Sequence, residues 1–205
     1  MPRARRRSPA QHRARATVDD ILEATARIIA RDGYAAVTTG KIARVAGVGA
    51  GSLYQYFPSK EAVVEALQDR HFAAMGRTFL ARMEELEDAP LAELVQGLAA
   101  LMRNSELLNS RLSRELLSVP ARGRPRAVLE LEDRCAEILH RALVRIAPKA
   151  DAAALRIPVF VVVQTVEALI LGASQRRPRG LNRQRFTQEL AALVTRYLAP
   201  ILRGS

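Results

Sequence analysis

Only three residues, Gly47, Val48 and Gly49, separate two short helical patterns in this 205-residue chain, and no other feature restricts its fold so tightly. The first pattern opens at Thr38 or Thr39 and buries Ile42, Ala43 and Ala46; the second runs from Ala50 to Tyr56. A gap of that length and glycine content is a tight turn between two helices that cross steeply. Ile42, Ala43, Ala46, Val48, Leu53 and Phe57 are spaced to form a miniature core. Ala50, Gly51, Ser52, Gln55 and the hydroxyls of Tyr54 and Tyr56 are left facing outward, and small residues on such a face let a partner approach the backbone closely. Lys60 begins the next helix, where the macrodipole disfavours a cation by roughly a few tenths of a kcal/mol and a nearby phosphate reverses the penalty.

The rest of the chain reads as helix. Aromatic residues make up 4%, tryptophan is absent, and alanine, leucine and arginine dominate, a balance that favours helices over strands. The expected fold is therefore all-α. Residues 1–16 are rich in arginine and poor in large apolar side chains, so they read as a basic disordered arm with order beginning near Thr17. Thr17 and Asp20 make a start signal for a first helix, which carries Ile21, Thr25, Ile28 and Ile29 on one face until Gly33 offers a left-handed stop. After Pro58 and Ser59, a long amphipathic run through Val63, Val64, Leu67, Phe72, Met75, Phe79 and Met83 reaches about Asp88. Further helices are expected at about 90–105, 107–118, 125–147, 151–176 and 183–202, with a basic loop at 121–126. Pro158 should kink or restart the fourth of these.

Composition excludes several classes. The single cysteine, Cys135, allows no disulfide framework within one chain. The arginine-rich start lacks the apolar run of a secretory signal, so the expected location is cytoplasmic. The apolar stretches 157–163 and 166–173 are broken by polar residues into pieces well short of the roughly 20 residues a bilayer span needs, so no membrane association is expected. The formal charge is +11, and residues 1–64 hold eleven Lys and Arg against five Asp and Glu. That basic end suggests a polyanionic partner, although arginine usage throughout the chain also fits a compositional bias.

The run from Thr38 to Glu61, with Thr-Thr, Ile-Ala, Ala-Gly-Val, Leu-Tyr, Tyr-Phe and Lys60 in register, closely resembles the DNA-binding domain of the TetR family of bacterial transcriptional regulators. The resemblance covers about residues 17–65. It implies a three-helix helix-turn-helix domain at 17–65 whose third helix enters the major groove of a double-stranded operator, and a larger helical ligand-binding and dimerisation domain at 66–205. By the same resemblance, Thr39 holds a phosphate, Gly49, Ala50, Gly51, Ser52, Tyr54 and Gln55 lie against base edges or adjoining backbone, and Tyr56 and Lys60 bind phosphate again. Two residues depart from the pattern. Gly49 stands where a capping serine is usual, and Ala50 where a polar or basic residue is common. Base readout then falls to Ser52 and Gln55, with Ala50 against a thymine methyl. The arginine arm either enters the minor groove or is a solvated tail.

The implied function is a sequence-specific regulator, a repressor released from its operator by a small apolar or amphipathic molecule. Phe72, Met75, Phe79 and Met102, with Arg103, Asn104, Gln164 and Glu167 as polar anchors, are the candidate effector residues, and the same apolar spacing also serves a plain core. A homodimer is expected through about 151–176 and 183–202. There, Val159, Val162, Val163, Val166, Leu169 and Ile170 form one apolar stripe, and Phe186, Leu190, Leu193, Val194, Tyr197 and Ile201 another. Two rivals differ in class. A metal-carboxylate bundle enzyme rests only on Glu137-x-x-His140, without the second motif such sites need. A regulator of the same type controlled by a protein partner is barely distinguished by sequence. No enzymatic activity, cofactor or metal is expected.

Overall fold

The computed structural model describes residues 9–104, 110–119, 124–176, 180 and 182–203. Among them the chain forms nine α-helices, one 3-10 turn and no strand. It divides into two compact units, Met1–Gln68 and Asp69–Ser205.

The first unit contains α1 (Pro9–Asp32), a 3-10 turn (Tyr34–Ala36), α2 (Thr39–Ala46), α3 (Ala50–Tyr56) and the start of α4 (Lys60–Glu85). α1 packs on the 3-10 turn and on α2, and α2 packs on α3. Ile21, Leu22, Ala24, Ile28 and Ile29 of α1 are buried, as is Thr25, whose hydroxyl donates to the Ile21 carbonyl at 2.8 Å.

Residues 9–16 correct the expectation of a disordered arm up to Thr17, because α1 begins at Pro9. Proline suits the first helical position, where its missing N–H has no partner to lose. Alanine and arginine then extend a helix already nucleated by the buried segment, and propagation costs far less than nucleation. Thr17 is not a cap; its hydroxyl donates back to the Arg13 carbonyl at 3.0 Å. Arg3, Arg5, Arg6 and Arg7 lie outside the described residues. At the other end, Gly33 stops α1 at a φ of 83° and a ψ of 167°, so it is positive in φ but extended, not the left-handed helical stop expected.

The second unit takes up the later turns of α4 and adds α5 (Leu91–Asn104), α6 (Arg111–Ser118), α7 (Arg126–Ile146), α8 (Arg156–Arg176) and α9 (Arg183–Arg203). α5 pairs closely with α9, and α8 packs on α6, α7 and α9. Their core consists of Leu94 and Val95, Leu139, Ala142 and Leu143, Leu155, Val159 and Val162, and Val194 and Leu198. Pro158 does restart a helix, since α8 opens only at Arg156 and leaves the proline in its first turn. In the preceding turn, the Asp151 carboxylate accepts from the Ala153 amide at 2.9 Å.

Two sequence expectations about α8 and α9 change. Val159, Val162, Leu190 and Val194, read as parts of dimer stripes, are buried within the chain itself. The outward apolar residues are Ile157 (72% exposed), Phe160 (64%), Leu169 (39%) and Leu193 (47%). α8 is apolar nearly all round, so its periodicity could not say which face turns inward. The apolar pieces also join into one 21-residue helix containing an 18-residue window of mean hydropathy 1.9, long and apolar enough by length and composition to cross a bilayer. Yet Val159 and Val162 sit in the core, and Glu167 pairs with Arg124.

Candidate nucleic-acid interface

The turn between α2 and α3 is closed at both ends by backbone geometry. Thr38 caps α2, its hydroxyl accepting from the Lys41 amide at 3.2 Å. At the other end Gly47 adopts the left-handed conformation, φ 69° and ψ 25°, which only glycine takes at little cost. The Val48 amide then reaches back to the Ala43 carbonyl at 3.0 Å. Gly49 is extended and leads α3, and its carbonyl accepts from the Leu53 amide at 3.1 Å. No side chain caps α3 at Gly49.

The miniature core forms as its spacing predicts. Ile42, Ala43, Leu53 and Phe57 are buried, while Ala46 and Val48 are half-buried. With Leu53 turned inward, Gly49, Ala50, Gly51, Ser52, Tyr54 and Gln55 are exposed and Tyr56 is half-buried. A Cβ added at Gly51 would meet nothing within 4 Å, so packing inside the chain does not require glycine there. The small residue instead leaves the α3 backbone open to a partner.

Thr39 and Tyr54 are brought together, their hydroxyl oxygens 3.1 Å apart. At the start of α4, Ser59 accepts from the Ala62 amide at 3.2 Å, and the Lys60 ammonium lies 5.2 Å from the centre of the Tyr34 ring. Sequence reasoning passed over Tyr34, Asp32 and Lys41. The Lys41 ammonium stands 2.8 Å from the Asp32 carboxylate, tying the end of α1 to α2. The Arg31 guanidinium, and after it Lys41, hold the Asp32 carboxyl well below the usual carboxylate range. No local pattern announces a contact nine residues apart across a turn.

The effector candidates divide. Phe72 and Met102 are buried, Met75 and Phe79 half-buried, and Arg103 exposed; Asn104 ends α5, and its side chain lies outside the described part of the chain. Gln164 and Glu167 are engaged within the chain. The Gln164 amide donates to Glu132 at 3.2 Å, and Arg124 bridges Glu132 and Glu167. Beside the apolar candidates, His71 Nε2 meets the fully buried Ser113 hydroxyl at 2.8 Å, a polar pair the sequence did not flag. A separate cleft of about 590 Å³ is lined by Arg111, Arg114, Glu115, Ser118, Ser174 and Gln175, none of them among the candidates.

Of the metal-enzyme residues, Glu137 is exposed and His140 Nε2 donates to the Ala152 carbonyl at 2.8 Å. No group of three or more His, Cys, Asp or Glu able to hold a metal ion occurs among the described residues. Burial pushes the Cys135 thiol up to about 12, which keeps it protonated and unreactive at neutral pH.

Residues 21–67 match the bacterial regulatory proteins of the tetR family, and residues 90–198 match the tetracyclin repressor-like C-terminal domain. The chain belongs to the TetR family. Members of this family are transcriptional regulators with a DNA-binding helix-turn-helix, not enzymes. The nucleoid occlusion factor SlmA of Aliivibrio fischeri (strain MJ11) is 34% identical over 114 residues, covering 46% of this chain and 58% of that protein. The match thus spans little more than half the length of that relative. A TetR-family regulator from Streptomyces coelicolor shares the fold at a TM-score of 0.66 and 22% identity, covering 92% of this chain and 99% of its own. SmeT, the repressor of the Stenotrophomonas maltophilia multidrug efflux pump SmeDEF, aligns at a TM-score of 0.61 and 22% identity, over 91% of each chain.

The uncapped start of α3 generates a prediction. Gly49 has a φ of −67° and a ψ of 147°, which serine adopts freely, and an added Cβ would meet only the Ser52 hydroxyl, at 3.8 Å. Gly49→Ser should therefore stabilise the protein by about 0.5–1 kcal/mol, through a new cap and a less free unfolded chain. Thermal denaturation should show a rise in Tm of roughly 1–4 °C.

Proposed function

We propose that this TetR-family protein is a sequence-specific operator-binding repressor, acting as a homodimer and released by a small apolar or amphipathic ligand. The outward face of α3 carries the DNA-binding part of this reading. Five consecutive positions, Gly49 to Leu53, place a single side chain in the core and expose the rest, with Gly51 leaving the backbone open. Ser52 and Gln55 are the hydrogen-bonding groups for base edges, while Thr39, Tyr56 and Lys60 serve the phosphates.

The exposed apolar residues of α8 and α9 support a dimer. Ile157, Phe160, Leu169 and Leu193 lie on the two helices already expected to pair across a twofold axis, and such an axis matches a palindromic site. Leu169 and Leu193 belong to the stripes read in the sequence and Ile157 and Phe160 do not, while Val166 packs against the chain's own core.

For ligand control, α4 is the shared element. Its first residue is Lys60, and its later turns carry Phe72, Met75 and Phe79. A ligand held against those turns acts on the helix that presents Lys60, and it needs only a few kcal/mol of preference for the DNA-incompetent state. SmeT, described as the repressor of a multidrug efflux pump, is consistent with an apolar effector. A second reading, in which a protein partner takes the effector's place, draws on the similarity to the nucleoid occlusion factor.

Three measurements test these parts. With DNA selected by binding, Tyr56→Ala or Lys60→Ala should weaken binding to every sequence, and Lys60→Ala should also flatten the salt dependence, by about 0.9 in slope for the phosphate no longer neutralised, whereas Gln55→Ala should change sequence preference. Unchanged preference in Gln55→Ala would remove that residue from base readout. Phe160→Glu combined with Leu193→Glu should give a folded monomer at micromolar concentration by light scattering; a persistent dimer would place the interface elsewhere. Compounds that raise Tm should lower DNA affinity, and if all of them leave it unchanged, control through α4 is wrong.

A further inference from the structure

The chain has only three lysines, Lys41, Lys60 and Lys149, among 32 Lys and Arg residues. Two of them are held by one turn, Asp32-Gly33-Tyr34. Gly33, at a φ of 83°, changes the chain's direction between its neighbours. Asp32 meets Lys41 of α2, and the ring of Tyr34 meets Lys60 of α4.

The two contacts differ in what they leave available. Lys41 makes a close ion pair at 2.8 Å with a carboxylate that Arg31 also grips, its side chain only 23% exposed, so its ammonium is engaged by a charged partner within the chain. A ring face attracts an ammonium without carrying a net charge or consuming its positive charge. At 5.2 Å from the ring centre, Lys60 is within reach of that attraction. It is also the first residue of α4, beside amides whose dipole repels a cation. The ring opposes that repulsion and engages the end of a flexible four-carbon side chain. A phosphate oxygen arriving at the helix start then meets oriented amides and an ammonium already in place.

We infer that Tyr34 is a positioning residue for DNA-backbone phosphate, holding the Lys60 ammonium at the start of α4 through the face of its ring. This rests on the DNA-binding reading of Lys60 given above, and it concerns a residue outside the group assigned to touch DNA. The attraction is to the face of the ring, so phenylalanine should serve as well and leucine, of similar apolar character, should not.

The experiment measures binding of the full-length protein to a duplex selected from random-sequence DNA, across a salt series, for the wild type, Tyr34→Leu, Tyr34→Phe, Lys60→Ala and the combination of Tyr34→Leu with Lys60→Ala. Tyr34→Leu should weaken binding by about two- to fivefold, Tyr34→Phe should match the wild type, and Tyr34→Leu should cost nothing further once Lys60 is alanine. An equal loss in both Lys60 backgrounds, or a Tyr34→Phe as weak as Tyr34→Leu, would overturn the inference while leaving DNA binding intact. A Lys60→Ala protein that binds as the wild type does would overturn it together with the phosphate role of Lys60. Absence of DNA binding by the wild type would instead remove the reading on which both stand. Should Tyr34→Leu fail to fold, proton NMR of the wild type and Tyr34→Phe decides. The Lys60 side-chain methylene next to the ammonium should show an upfield ring-current shift in both, and its absence refutes the contact.

Discussion

A seven-residue helix does not hold together alone in water, because nucleating a turn costs more backbone freedom than its few hydrogen bonds return. α3 exists because Leu53, at 0% exposure, anchors it to the helices before it. Full burial of such a side chain stabilises by about 1.5–3 kcal/mol. The left-handed turn at Gly47 then sets where α3 begins, and the rest of the interface follows from that one anchor. With Leu53 and Phe57 committed inward, Gly51, Ser52, Tyr54 and Gln55 face water at spacings set by the helix and form a single outward surface. The chemistry of that surface is sparse, with Ser52, Tyr54 and Gln55 as its hydrogen-bonding side chains.

The second unit answers a different requirement. α8 must supply Leu155's neighbours Val159 and Val162 to a core shared with α5, α7 and α9, and it still carries Ile157 and Phe160 on its other side. Polar groups on the same helix are tied down inside the chain, Gln164 to Glu132 and Glu167 to Arg124. The exposed ion pairs of this unit, such as Arg134 with Glu84, contribute little each because water and salt screen them. Glu87 is a better-placed acceptor, since Arg141 grips both of its oxygens at 2.6 and 2.8 Å and holds its carboxyl below the ordinary value. Such contacts set the register between helices, while the apolar core supplies the stability.

Much of this was legible in the order of residues. The glycine turn, the miniature core around Leu53, the restart at Pro158 and the helical class all follow from local chemistry acting over a few residues. The start of α1 was not legible, because the absence of large side chains at residues 9–16 was read as disorder. A helix needs no core of its own when it extends one already formed.

The sequence by itself determined which short segments form helices, where glycine and proline interrupt them, and which face of α3 is left for a partner, since those depend on backbone freedom and a period of 3.6 residues. Only the tertiary structure decided which side of α8 is core and which is surface, that Gln164 and Glu167 are bound to Glu132 and Arg124, and that Asp32 and Tyr34 each take one lysine. Those outcomes depend on which distant helices share a neighbour, and a helix apolar on every side, or a charge with many available partners, carries no local signal of the choice.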